Sequence, residues 1–155
     1  MPFRSTFARR PSFTAPSPGR LARFVAGLAM CALGVWLSVR AQLGLSPWDV
    51  LHAGLSSHLG LSFGTVVILI GLVVMAASWA LGVRPGLGTL VNVVAMGWVL
   101  DRLLASPWLQ GLHTQPLAVR LAALVAAVLL LGFGAAVYIG AAFGAGPRDL
   151  SLIHI

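Results

Sequence analysis

The sequence predicts an all-α fold: a polytopic transmembrane helical bundle of about four spans, forming the first part of an inverted repeat. Three observations predict it. Hydrophobic residues make up 59% of the chain and charged ones only 8%, against roughly a quarter charged in soluble domains. Long uncharged apolar runs recur, such as Ser62–Leu81. The region after Arg20 is echoed, with its turn motif, about one hundred residues later. Ten Arg and three Asp cannot clothe a soluble fold of 155 residues.

Residues 1–19 carry Pro2, Pro11, Pro16 and Pro18 among Ser, Thr and Arg. Such a segment buries no core and is expected to be a disordered cytoplasmic tail. Arg9-Arg10 resembles a twin-arginine signal, but Pro11 follows and the apolar core begins far downstream. An uncleaved signal-anchor is the favoured reading over a cleaved signal peptide.

The transmembrane domain is expected over 20–149. Its first span is about 21–39. The uncharged part, Phe24–Val39, is 16 residues, short for a hydrocarbon layer of ~30 Å, so Arg20, Arg23 and Arg40 are expected to snorkel at its ends. Cys31 lies inside this run as a packed thiol; Met30 before it does not suit a lipoprotein cleavage box.

The stretch 41–61 is too polar for a simple span, with Gln42, Asp49, His52 and His58. Ser46-Pro47-Trp48-Asp49 reads as a helix start, with Ser46 as N-cap, Pro47 in the first turn and Asp49 third. A short helix over about 47–57 follows, ending near Gly60. Re-entrant, interfacial and crossing placements all remain open. The second span is about 62–81, and Gly82-Val83-Arg84-Pro85-Gly86 is a tight turn. The third span, about 87–100, is closed by Asp101-Arg102. A loop with Trp108 and His113 leads to the fourth span, about 117–143.

With the N-terminus inside, seven Arg (4, 9, 10, 20, 23, 84, 148) are cytoplasmic and three (40, 102, 120) are outside. This satisfies the positive-inside rule and points to a multi-pass protein of the bacterial cytoplasmic (inner) membrane. The Arg excess of the N-terminus reads as topology signal and lipid headgroup contact. No zinc spacing, aromatic-basic motif or helix-turn-helix pattern supports nucleic-acid binding. The expected partner is the lipid bilayer, with a homo-oligomer as the way a four-span chain could complete a transport unit.

Shifting the chain by 100 residues places Arg20-Leu21-Ala22 on Arg120-Leu121-Ala122, Val25-Ala26 on Val125-Ala126, Gly34 on Gly134 and Ala41 on Ala141. Gly44-Leu45-Ser46-Pro47-Trp48-Asp49 falls on Gly144-Ala145-Gly146-Pro147-Arg148-Asp149, sharing Gly, Pro and Asp. Two further spans lie between the copies, so the second enters the membrane from the opposite side. That is the plan of many secondary transporters, and it predicts more chain after Asp149. Residues 150–155, Leu-Ser-Leu-Ile-His-Ile, match what a transposase mosaic-end adapter encodes in one frame, and are read as adapter-derived rather than native.

All three acids fall at motif positions: Asp49, Asp101 and Asp149. An ionised Asp costs ~3 kcal/mol at the centre of a membrane helix, so intramembrane acids are usually functional. Asp49 and Asp149 are therefore either helix caps favoured by the N-terminal dipole or a substrate, ion or proton site. Arg148 would strengthen an anion site and is otherwise a snorkelling cytoplasmic cation. Asn92, in the third span, reads as an interhelical hydrogen bond or a site residue. Asp101, nine residues further on, faces nearly the opposite side of that helix and reads first as a membrane-edge residue. Gly132, Ala136, Gly140 and Gly144 recur every fourth residue, a helix-packing stripe. The five Trp fall mostly near span ends, as in aromatic belts. His52 and His58 do not share a helical face, so no metal site is expected. With no motif of soluble-type catalysis, neither an enzyme nor a cofactor is expected.

The run Arg40–His52 with Gly54-Leu55 and Gly60–Thr65, then Arg84-Pro85-Gly86-Leu87-Gly88-Thr89 with Asn92 and Asp101, then Gly144–Asp149, resembles the YczE/YyaS/YitT group of bacterial integral membrane proteins. The resemblance covers 20–149. It implies a cytoplasmic-membrane location and a longer chain, and no substrate. The functional expectation is a small-molecule transporter. The alternative is a non-transporting membrane regulator or assembly factor.

Overall fold

The structure is a computed structural model and describes residues 18–82 and 87–140. The tail, Arg84, the motif Gly144–Asp149 with Gly146, Pro147, Arg148 and Asp149, and residues 150–155 lie outside the described residues. The described residues form five α-helices with no strand among them: α1 (Pro18–Ala41), α2 (Pro47–Leu59), α3 (Phe63–Ala80), α4 (Leu87–Ala105) and α5 (Leu117–Gly140). A 3-10 turn, Gln110–Thr114, bridges α4 and α5.

Four of these helices, all but α2, are long and apolar enough to cross a membrane. Their outward faces are apolar too: Val73 and Phe133 are 68% and 63% exposed. A surface of this kind needs lipid rather than water as its solvent. At 13 residues, α2 is about 20 Å long, too short to cross a layer of ~30 Å alone.

The helix limits differ from the sequence expectation in physically informative ways. α1 is longer than 21–39, taking Arg20 and Arg40 into the helix as well. α4 does not close at Asp101-Arg102 but runs on to Ala105. Both residues have partners that favour the extra turn. Asp101 accepts from Ser62 Oγ (2.6 Å) and from the Gly64 backbone N–H (2.7 Å), so it caps α3 from across the hairpin. Arg102 lies 5.2 Å over the Trp98 ring. Ser62 also caps α3 itself, accepting from Thr65 N–H.

α3 and α4 form a hairpin held at very close approach. A Cβ on Gly64 would strike the Gly97 carbonyl oxygen, and one on Gly71 would meet Val93 Cγ1 at 2.6 Å. α1 and α5 cross antiparallel through a second set of small residues. Gly27 lies against the Gly134 backbone and Tyr138, and Gly34 against the Ala127 backbone and Leu131. Without Cβ atoms there, the backbones meet directly, which is how helices associate in lipid. The hairpin docks on α1 through a core of Ala32, Val35, Trp36 and Leu100.

Two arginines close the far end of the bundle. Arg40 donates to the Leu104 and Ser106 carbonyls at 2.8 and 2.9 Å, satisfying the end of α4. Arg120 donates to the Ala41 and Gln42 carbonyls, both at 2.9 Å, satisfying the end of α1. They serve as C-caps supplied by other helices, where the sequence suggested only snorkelling for Arg40 and an outside charge for Arg120.

Candidate functional site

The site begins at the N-terminus of α2, built as its sequence dictates. Ser46 has extended backbone, φ −62° and ψ 154°, and its Oγ accepts from Asp49 N–H at 3.2 Å, with Pro47 opening the helix. Gly60, in the left-handed region at φ 66°, ends it. Ser46 Oγ also donates to Asp49 Oδ2 at 2.6 Å. Asp49 is thus held at the helix start, where the dipole favours a carboxylate, and it is 1% exposed. We expect Ser46→Ala to cost about 1 kcal/mol through the lost cap, measured as a lower unfolding midpoint in detergent; an unchanged midpoint would show that the cap is not what holds α2.

One turn on, His52 shares the buried face of α2 with Asp49. Its Nδ1 lies 3.7 Å from Asp49 Oδ1, beyond hydrogen-bond range, and has no hydrogen-bond partner. The ring is stacked with Trp48 at 6.3 Å and meets the edge of Phe63 at 5.9 Å. Trp48 therefore belongs to this cluster rather than to an exposed aromatic belt. Trp79, Trp98 and Trp108 are exposed, as a belt requires, and Trp36 is in the core.

Ser46, Trp48 and His52 line one end of a cavity of about 500 Å³. The cavity runs between the α1–α5 pair and the α3–α4 hairpin. Leu28 and Cys31 of α1, Val67, Ile70 and Val74 of α3, Met96 and Leu100 of α4, and Val128, Leu131 and Ala135 of α5 form its apolar walls. Asn92 and Tyr138 supply polar groups nearer the other ends of α4 and α5. Its volume and its few polar groups on apolar walls suit a small organic molecule.

The structure separates the remaining sequence candidates. Asn92 faces the cavity, while Asp101 is engaged in capping α3 on the far side of α4. His58 is exposed and apart from His52. Gly132, Ala136 and Gly140 are exposed, and α5 meets α1 instead through Ala127, Leu131, Gly134 and Tyr138. Among the described residues no three His, Cys, Asp or Glu side chains group to hold a metal ion. The sequence weighed His52 only as a metal ligand with His58, and Tyr138 not at all. The three-residue spacing from Asp49 could have flagged His52, whereas nothing local marks Tyr138.

Residues 19–155 match the profile of DUF6198, described as a family of unknown function. The chain belongs to this family. Three curated relatives agree with the motif resemblance. The uncharacterized membrane protein YczE of Bacillus subtilis is 38% identical over 134 residues, covering 85% of this chain and 60% of YczE. An uncharacterized Haemophilus influenzae protein is 34% identical over 83% of this chain and 57% of its own length. B. subtilis YyaS is 29% identical over 82% and 64%. This DUF6198 chain spans about six-tenths of the length of the curated relatives it matches. No solved structure matches it.

Proposed function

We propose that the chain is part of a small-molecule transporter of the bacterial cytoplasmic membrane, with its N-terminus in the cytoplasm and no catalytic role. The cavity carries this reading: a chamber of about 500 Å³ at the heart of the bundle, polar at Ser46 and His52 and again at Asn92 and Tyr138.

An internal two-fold relation supports it. If residue i of the first copy corresponds to i + 100, an antiparallel two-fold pair requires that each contact recur with its partners exchanged. Gly27 meets Gly134, and Gly34 meets Ala127; adding 100 to Gly27 and Gly34 gives Ala127 and Gly134. Cys31 Sγ lies 3.9 Å from the Leu131 carbonyl oxygen, a pair that maps onto itself. The cavity is lined by the matched pairs Leu28 with Val128 and Cys31 with Leu131, which supports a position near the proposed axis. Inverted repeats with a central site are how many secondary transporters alternate access. In this reading Asp49, and Asp149 with Arg148 in the second copy, flank the substrate path.

The test is flux. Cells producing full-length YczE, unaltered or with Asn at the position that aligns with Asp49, are compared for uptake and efflux of a panel of labelled small metabolites. The expected result is at least one compound whose flux depends on that protein and falls with the substitution. No such compound across the panel would sink the transport reading. A stable membrane protein co-purifying while flux is absent would favour the regulator or assembly factor instead.

A further inference from the structure

The two faces that correspond under the 100-residue offset are treated unequally in this structure. On α1, Ala32 and Val35 are 0% exposed and Trp36 8%, because Leu100 and its neighbours on α4 cover them. The corresponding α5 residues are Gly132, Ala135 and Ala136. Gly132 and Ala136 are exposed, Ala135 is half-buried, and a Cβ built on Gly132 meets nothing within 4 Å. Gly132 and Ala135 also line the cavity, so the bare face is one of its walls. The side chains here are smaller than their α1 counterparts, which permits close approach of another helix. The opposite faces are treated alike: Leu33 and its counterpart Phe133 are both exposed.

We infer that the α5 face at Gly132, Ala135 and Ala136 is the seat of a second apolar helical hairpin, built like α3–α4, whose docking closes the cavity on that side. This rests on the two-fold reading above. The occupant is a hairpin because that is what covers the matched face of α1. Its source is the remainder of the longer family members: YczE has about 40% of its length outside the span this chain covers, more than a hairpin like Phe63–Ala105 requires. Lipid would leave α1 and α5 in different environments although their mutual contacts exchange under the offset.

The test uses full-length YczE, which exists with that remainder in place. Single cysteines go at the positions that align with Ala136 and with Phe133, each paired with a cysteine scan through the apolar segments outside the matched span. Oxidation in native membranes should join the Ala136 position to that segment within one chain, and leave the Phe133 position uncoupled. A lipid-soluble thiol reagent should label the Ala136 position on the order of tenfold more slowly than the Phe133 position. Equal labelling with no intrachain cross-link overturns the inference, and so do cross-links found only between two copies. Thermal midpoints of the single-cysteine proteins identify any variant that misfolds, and the Gly132 position then replaces it. Because the readout is contact geometry, a protein that cross-links as expected yet moves no solute refutes the transport reading alone.

Discussion

In this chain, without the second hairpin, Gly64→Ala should destabilise the bundle by about 3 kcal/mol, the upper range for overpacking a tight contact, while the same change at Gly132 should be neutral or stabilising. At Gly64 the new methyl would strike the Gly97 carbonyl oxygen and lie 2.6 and 2.7 Å from Asp101 Cγ and Oδ1. The first is backbone and cannot rotate away. The second is the carboxylate that accepts from Ser62 and Gly64 N–H, so relief by moving it would uncap α3. The hairpin must therefore part along its length. At Gly132 no atom lies within 4 Å, and Ala gains up to about 1 kcal/mol of helix propensity over Gly. Unfolding in mixed detergent micelles, followed by loss of helical circular dichroism, measures both. Equal midpoints for the two variants would mean that α3 and α4 are not in backbone contact.

Arg120→Ala should cost about 2–3 kcal/mol, below the sum expected for two independent charge-assisted hydrogen bonds of about 1.5–3 kcal/mol each, because the bond to Gln42 is exposed. The bond to Ala41 matters more. Ala41 is 0% exposed, so its carbonyl has no water to turn to, and an unsatisfied backbone group in a membrane bundle is costly. Gln42 sits in the left-handed region at φ 51°, and the guanidinium holds that strained end of α1 in place. Arg120→Lys should recover part of the loss, since an ammonium lacks the planar fork that reaches both carbonyls at once. The same unfolding assay reads the series, with an Ala variant as stable as wild type as the outcome that removes Arg120 from the structural account.

What the sequence revealed and what it hid divide along the range of the interaction. The start of α2 was legible because Ser46, Pro47 and Asp49 act on backbone groups within one turn, and Gly60 ends the helix by its own φ. The four long helices were legible because lipid demands continuous apolar length. The extension of α4 past Asp101 was not, since its support comes from Ser62 and Gly64, on another helix. The roles of Arg40 and Arg120 were hidden for the same reason: their acceptors lie 64 to 79 residues away. A charge near a span end looks the same in sequence whether it snorkels or caps a neighbour. At the site, Asp49 and Asn92 were visible as polar residues in apolar surroundings. Tyr138 was not, because only the crossing of α5 over α1 brings it to the cavity.

The α1–α5 crossing also sets an order of events during synthesis. Gly27 and Gly34 must wait for Ala127 and Gly134, about one hundred residues later, which at ordinary translation rates is roughly 5–20 s. Over that interval α3 and α4 emerge and can close on each other through Gly64 and Gly97, since Ala80 and Leu87 are close in sequence. The glycine groove of the first helix meanwhile stands uncovered in the bilayer, even where its other face has received the hairpin. A nascent chain in this condition is a natural substrate for membrane chaperones and quality-control proteases, and its lifetime is set by how soon α5 is inserted. Slow codons between α4 and α5 should therefore lower the yield of folded protein without changing a single residue.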